Sequence, residues 1–120
     1  MNTQSTQESR FTPSRVWVDS RVKGVGQSWY YGGKDQMHLS ELQPLLDEHN
    51  ACVCYKDEFY DNIDDIPFVE EYLTYYTYGM PTGSIKDDPT VTVVPKGTKW
   101  DDSPLYQYLG KKRFVFPKNA

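Results

Sequence analysis

A chain of 120 residues with a net charge of −4 is long enough for one small domain with a modest core. No apolar run approaches the roughly 18–20 residues that cross a bilayer, so a membrane-spanning protein is not expected. Residues 1–9 lack the apolar centre of a secretory signal, and Cys52 and Cys54 stand too close for an unstrained disulfide. These features favour a cytoplasmic protein with reduced thiols. Residues 1–13 are polar and aperiodic and predict a flexible tail, which leaves residues 14–120 as a single domain.

The first strands follow from alternation of apolar and polar side chains. Val16 and Val18 share one face of a strand predicted over residues 14–20. Residues 21–27 contain two glycines and predict a turn or hairpin connection. A second short strand is predicted over residues 28–31.

A helix is predicted over residues 39–49. Its leucines recur on one face, at positions 39, 42, 45 and 46. Ser40 and Gln43 have the spacing of a capping box, and Asn50 is a plausible C-terminal stop.

Two interpretations compete for residues 67–78, which follow a strand predicted over 51–56 and an aspartate-rich loop predicted over 57–65. The apolar side chains at positions 68, 69, 72, 73 and 76 recur at helical spacing, with Gly79 as a stop. The threonines and tyrosines of residues 74–78 have strand propensity instead. We favour the helix because of the periodicity.

Residues 80–120 complete the predicted fold. They contain a turn-rich connection (80–89), a strand (90–95), a loop (96–102), a short helix (103–109) and a final strand (112–116). The order of elements and the half-polar strands predict an α+β fold. It is a single small domain with a largely antiparallel sheet of four or five strands and two or three short helices. The high aromatic content predicts a core that depends on large rings, among them Trp17, Trp29, Phe68, Trp100, Phe114 and Phe116.

Charge is strongly uneven along the chain. Residues 41–80 contain ten carboxylate side chains and a single lysine, Lys56, whereas both flanking segments are net basic. The same stretch contains six tyrosines. Acidic side chains interleaved with tyrosines are typical of a surface that binds a basic protein, although an acidic face that keeps the protein soluble is an equal alternative.

The predicted binding surface lies within residues 57–72. Its charged members are Asp57, Glu58, Asp61, Asp64, Asp65, Glu70 and Glu71, and its aromatic anchors are Tyr60 and Tyr72. The predicted partner is a basic surface of a protein or nucleoprotein complex. Nine net negative charges cover only a short row at the DNA spacing of roughly 1.7 Å per charge, so partial imitation of DNA, or an ordinary acidic patch with tyrosine anchors, is expected rather than a complete double.

Nucleic-acid or nucleotide binding is the second hypothesis. Two patches combine basic side chains with aromatic rings: Arg15, Trp17 and Arg21 in and just after the first strand, and Lys111, Lys112 and Arg113 at the start of the final strand. The acidic isoelectric point, about 5.1, argues against it because domains of this kind are usually basic.

A metal site and a catalytic centre have weaker support. His38, His49, Cys52 and Cys54 include one C-x-C pair but no second pair, so two buried cysteines are the simpler interpretation. The acidic loop lacks the spacing of a calcium loop, and the chain contains neither G-x-S-x-G nor G-x-G-x-x-G. No cofactor is predicted, and a small enzyme without recognised motifs stays a third hypothesis.

One family resemblance covers about half of the chain. Residues 16–18 (Val-Trp-Val), the turn at Gly24 and Gly26, Trp29, the helix over 39–49 and the acidic run ending at Pro67 resemble the N-terminal domain of ArdA-type antirestriction proteins. The family's usual Tyr-Asn before the glycine turn is replaced by Val-Lys. The resemblance implies an inhibitor encoded by a phage or mobile element, which acts on a host defence or nucleic-acid-handling complex.

Overall fold

The structure is a computed structural model that describes residues 11–27, 30 and 32–118. Within these residues the elements follow the order β1 (Arg15–Ser20), β2 (Asp35–His38), α1 (Leu39–Glu48), β3 (Ala51–Tyr55), β4 (Glu58–Tyr60), a 3₁₀ turn (Ile63–Asp65), β5 (Glu71–Thr77), β6 (Met80–Asp87), β7 (Thr90–Pro95), β8 (Lys99–Trp100), α2 (Pro104–Tyr108) and β9 (Phe114–Val115). No described helix is long and apolar enough to cross a membrane.

Five strands form the main sheet in the order β2-β1-β7-β3-β4. Strands β1 and β7 run parallel, with Val18 opposite Val91, and the other neighbours are antiparallel. Two further pairs, β5-β6 and β8-β9, form separate two-stranded sheets. The predicted fold class is therefore confirmed: a single small α+β domain with a largely antiparallel sheet.

The core is aliphatic, which corrects the expectation of a ring-dominated core. Strands β1, β3 and β7 bury a row of valines, and α1 adds Leu42 and Leu46. Tyr55 and Phe68 are the buried rings of this cluster. Trp17, Trp100 and Phe114 are half-buried and Phe116 is exposed, because β-branched side chains already fill the space between the sheet and the helix. Trp29 lies outside the described residues.

Helix α1 is confirmed, but its predicted capping box does not form. The N-cap residue is His38, and no side chain caps the helix. The amide oxygen of Gln43 instead accepts a 2.9 Å hydrogen bond from the backbone N–H of Ile63, and its nitrogen donates to the backbone oxygen of Asp61 at 3.4 Å. Gln43 therefore joins α1 to the 3₁₀ turn.

The segment 57–65, predicted as a loop, contains the short strand β4 and the 3₁₀ turn. Tyr55 pairs with Glu58 across a tight turn, and both residues between them, Lys56 and Asp57, have positive φ angles of 48° and 71°. Two consecutive left-handed residues are the geometry of a type I′ turn, which suits the twist of antiparallel strands.

The helix predicted over residues 67–78 is wrong. Residues Glu71–Thr77 form strand β5, and the connection predicted over 80–89 is largely strand β6. Side chains four apart share a face in both a helix and a strand, so Tyr72 and Tyr76 satisfy either period. The tight turn at 78–79 brings a pairing strand into reach, and the strand propensity of Tyr and Thr then decides.

The other strand and helix predictions divide into three groups. The strand over 90–95 and the short helix within 103–109 are confirmed. The final strand is shorter than predicted and pairs with β8, inside the segment predicted as a loop. The sequence does not predict β2, and the strand predicted over 28–31 falls mostly outside the described residues, as do residues 1–10 of the predicted tail.

Candidate protein-binding surface

Strands β5 and β6 form a hairpin that belongs to no larger sheet among the described residues. Large side chains are exposed along its whole length. Their exposed fractions are 58% for Tyr72, 56% for Leu73, 50% for Tyr75, 62% for Tyr76, 99% for Tyr78, 67% for Met80 and 54% for Ile85. Exposed apolar side chains grouped on one element of a small domain make that element a candidate interaction site.

The register divides these side chains between two faces. Leu73 pairs with Ile85, Tyr75 with Gly83 and Thr77 with Met80, so these side chains share what we call the leucine face. The opposite face, called the tyrosine face, contains Tyr72, Thr74 and Tyr76 from β5, with Ser84 and Lys86 from β6. Each face therefore presents its own exposed rings.

The tip of the hairpin is a two-residue turn that exposes a strained tyrosine. Tyr78 and Gly79 have φ angles of 54° and 78°, as a type I′ turn requires. The left-handed conformation costs a residue with a β-carbon about 1–2 kcal/mol, and Asn or Gly usually occupies this position. A 99% exposed ring is therefore held at the tip against the local backbone preference.

Ion pairs and hydrogen bonds hold the base of the hairpin. Lys56 lies 3.9 Å from Glu71, and Lys86 lies 3.2 Å from Glu70. The hydroxyl of Tyr72 donates to Glu70 at 3.2 Å, and Trp17 Nε1 donates to Asp87 at 3.2 Å. The hairpin is thus anchored at its base while its outer half makes few contacts with the rest of the domain.

Some of the predicted acidic residues are neutralised in the structure by an ion pair with a lysine, and others are not. Besides Glu70 and Glu71, Asp57 is neutralised, because Lys112 lies 3.3 Å from its carboxylate. Glu58, Asp61 and Asp65 are exposed and form no ion pair with the described residues. The predicted row of charge is therefore shorter than the sequence indicates.

Two of the exposed carboxylates that form no ion pair with the described residues, Asp61 and Asp65, lie where α1 meets the 3₁₀ turn. Gln43 donates to the carboxylate of Asp47 at 3.0 Å and also contacts the backbone of Asp61. Asp64 and Asp65 occupy the adjoining 3₁₀ turn, where the Asp64 N–H donates to Asn62 at 3.0 Å. We call residues 61–65 the acidic turn.

Tyr60, predicted as an anchor, is placed differently from Tyr72. It lies on β4, is half-buried and packs against the hydrophobic core. Burial, with a smaller contribution from the charge of Glu58, raises the pKa of its phenol. Tyr72 offers far more exposed ring to a partner.

The first basic patch is engaged in contacts within the chain. Arg15 lies 3.9 Å from Asp88, and Arg21 lies 3.5 Å from Asp19. Trp17 is half-buried and its indole N–H is bonded to Asp87. A nucleic acid would have to displace these carboxylates before it contacted the two guanidinium groups.

The second basic patch surrounds a stacked aromatic cluster. The Trp100 ring stacks on Phe114 at 4.7 Å, and Lys112 lies over the Trp100 ring at 5.2 Å. Arg113 is bonded to Asp101 at 2.6 Å and lies 4.3 Å from the Tyr106 ring. These contacts occupy the surfaces on which a base would stack, and Lys111 is the member of the patch left without a side-chain partner in the described chain.

The two cysteines are free and buried. Burial is the main reason why the pKa of Cys52 rises to about 11, and the charge of Asp61 adds to the effect. Burial likewise raises the pKa of Cys54. Neither thiol has the lowered pKa of a nucleophile, and no group of three His, Cys, Asp or Glu side chains within the described ranges is arranged to hold a metal ion.

Comparison with models of known protein families, with curated proteins and with solved structures gives no match to this chain. The candidate surface is therefore defined by its geometry alone. The sequence pattern selected Tyr72 and the acidic turn, both of which are exposed, but missed the exposed residues of the hairpin beyond Tyr72. The signal that could have found them is the Tyr78-Gly79 dipeptide between two segments rich in Thr and Tyr.

Proposed function

We propose that this protein is a non-enzymatic binding protein that contacts a basic protein surface through the β5–β6 hairpin and the nearby carboxylates. The observation that carries the proposal is the exposure of large side chains on both hairpin faces and at the tip. Tyrosine combines a large apolar ring with a polar hydroxyl, and it is enriched among the residues that dominate binding energy at protein interfaces.

Charge favours a protein partner over a nucleic acid. A two-stranded ribbon can enter the major groove of DNA, but it needs cations to meet the phosphates. Residues 70–87 contain Glu70, Glu71 and Asp87 against one lysine, Lys86. The two basic patches give the nucleic-acid hypothesis less support, because most of their basic side chains and aromatic rings already form contacts within the chain.

The acidic turn supports a basic partner surface. Asp61 and Asp65 are exposed and unneutralised, and Asp47 of α1 lies beside them through Gln43. Carboxylates at the rim of an interface mainly accelerate encounter and select partners of opposite charge. In this proposal the hairpin supplies affinity and the acidic turn supplies attraction at a distance.

The class of partner follows from the resemblance to ArdA-type antirestriction proteins and from this charge. A host defence or nucleic-acid-handling complex exposes basic surfaces where it binds nucleic acid. An inhibitor encoded by a phage or mobile element would occupy such a surface. The limited number of unneutralised carboxylates supports partial imitation of DNA, with the tyrosines contributing contacts that DNA does not make.

The test is a capture experiment from host lysate after nuclease treatment. The bait is compared with a Tyr76→Thr/Tyr78→Asn variant, which keeps residues suited to a strand and to a type I′ turn. The matched control is Tyr108→Gln, which removes an exposed tyrosine from α2 instead of the hairpin. We expect a basic protein bound by the wild type and the control but lost from the hairpin variant.

The contribution of the acidic turn is tested by measuring the rate at which the protein associates with the captured partner. Asp61→Lys/Asp65→Lys should slow association, most strongly at low salt, whereas Asp102→Lys, an exposed carboxylate beside α2, should not. Capture that disappears with nuclease, or that persists in the hairpin variant, would refute the proposed surface and favour the basic patches.

A further inference from the structure

The outer edge of β5 is an unpaired strand edge. Among the described residues β5 pairs with β6 and with no other strand. An unpaired edge presents a row of backbone N–H and C=O groups that can template pairing with another chain, and proteins usually protect such edges. The two edges of this hairpin differ in that protection.

Strand β6 has two protective features and β5 has neither. Pro81 lacks an N–H, and a bulge opposite Tyr75 and Tyr76 interrupts the register, which leaves Thr82 without a partner. Strand β5 (EYLTYYT) contains no proline or glycine, consists largely of residues with high strand propensity, and has one charged residue, Glu71, at its first position. The edge competent for pairing is therefore that of β5.

We propose that two copies of this chain pair antiparallel through their β5 edges. The two hairpins then form one four-stranded sheet in the order β6-β5-β5-β6, with a two-fold axis at Thr74, the central residue of Glu71–Thr77. This inference goes beyond the proposed function, because pairing uses a strand edge and leaves both faces and the tip exposed.

The β5 sequence is self-complementary in antiparallel orientation, which favours a second copy as the partner. With Thr74 opposite Thr74, Leu73 lies opposite Tyr75 and Tyr72 lies opposite Tyr76, which are favourable apolar and aromatic cross-strand pairs. Glu71 lies opposite Thr77, so the two carboxylates are placed at opposite ends of the paired strands. A parallel pairing in register would instead bring the two Glu71 side chains together, which is unfavourable.

The first test is the mass of the protein in solution by light scattering over a range of concentrations. We expect a dimer for the wild type. Thr74→Lys places two ammonium groups together at the two-fold axis and should give a monomer. Ser84→Lys is the matched control, since it adds the same charge to the same face, opposite Thr74 but on β6, and it should stay dimeric. A monomeric wild type at several hundred micromolar, or equal masses for the two variants, would overturn the proposal.

The second test locates the edge by disulfide cross-linking. Thr74→Cys and Ser84→Cys each add one exposed thiol, while Cys52 and Cys54 are buried. Mild oxidation should cross-link Thr74→Cys into a covalent dimer much faster than Ser84→Cys. Equal or faster cross-linking of Ser84→Cys would contradict pairing through β5. Tyr78→Asn, at the tip and outside the paired strand, should weaken capture of a host protein while the mass stays that of a dimer, and this result separates the inference from the proposed function.

Discussion

The ring of Tyr75 lies across the hairpin against Gly83 and occupies the space that a side chain at position 83 would need. A β-carbon built on Gly83 would lie 2.9 Å from Oη and 3.1 Å from Cζ of Tyr75. Gly83 does not have a positive φ angle, so its backbone conformation does not require glycine. Glycine is suited to this position because the Tyr75 ring approaches so closely. An aromatic side chain that covers a strand glycine is a known means of stabilising a sheet.

The first prediction concerns this contact. Tyr75→Ala should lower the local stability of the hairpin by roughly 0.2–1 kcal/mol, the value of a cross-strand pair. Amide hydrogen exchange of β5 and β6 measures it. In a Gly83→Ala background the loss should be smaller, because the new methyl group has already displaced the ring. An equal loss in both backgrounds would show that Tyr75 acts independently of Gly83.

The second prediction separates stability from binding at the hairpin tip. Tyr78→Asn should stabilise the hairpin, by up to about 1 kcal/mol, because Asn tolerates the left-handed conformation of a type I′ turn better than Tyr. The same change should weaken binding to the captured partner, because the exposed ring is lost. Hydrogen exchange and binding affinity measure the two effects. Unchanged affinity together with a more stable hairpin would remove Tyr78 from the proposed surface.

The third prediction concerns Gly24, which has a φ angle of +95° and lies against the imidazole of His49. A β-carbon at position 24 would lie 2.6 Å from Cε1 of His49. Gly24→Ala should therefore combine backbone strain of about 1–2 kcal/mol with a smaller cost for displacement of the His49 ring. Urea unfolding measures the loss.

Gly110→Ala is the matched control for Gly24→Ala. Gly110 has a φ angle of +67°, and nothing lies within 4 Å of a β-carbon built there. The loss of stability in Gly110→Ala should therefore come from backbone strain alone. Adding His49→Ala to Gly24→Ala should reduce the loss toward that of Gly110→Ala, and a double variant no more stable than Gly24→Ala would argue against the ring contact.

The fourth prediction follows from the thiol of Cys52, whose pKa is raised from 9.0 to about 11, mainly by burial. The folded state holds this proton more tightly than the unfolded state. Its contribution to stability is therefore present below pH 9 and is lost as the pH rises toward 11, at no more than about 1.4 kcal/mol per pH unit. Urea unfolding between pH 8 and 11 should show a steeper decline for the wild type than for Cys52→Ala. Parallel declines would mean that other groups cause the whole effect.

The local pattern of apolar and polar residues was sufficient to predict β1, α1 and β7, because their apolar side chains repeat at the period of the element and are buried in the core. It was insufficient for β2, because its sequence (DQMH) has little apolar character and it is held as an edge strand by pairing with β1. It was misleading for β5, where side chains four apart fit both a strand and a helix. Pairing with β6 decides that segment, and pairing is not a property of one window of sequence.

Some features of the candidate site could likewise be predicted from the sequence, and others could not. Exposure of the acidic turn was predictable from its composition. Neutralisation of Asp57 was not, because its cation, Lys112, is distant in sequence and comes near only through the fold. The exposed rings of the hairpin required the correct secondary structure first, since on a helix Tyr72 and Tyr76 would have faced the core.

The position of β7 in the main sheet has a consequence for biosynthesis. Strand β7 lies between β1 and β3 and joins the β2-β1 pair to the β3-β4 pair, yet it follows the whole β5–β6 hairpin in the chain. A nascent chain that ends before Thr90 contains both pairs but lacks the strand that connects them. The main sheet is therefore completed only after β7 has been synthesised, and truncation between the hairpin and β7 leaves the valine faces of β1 and β3 without their shared neighbour.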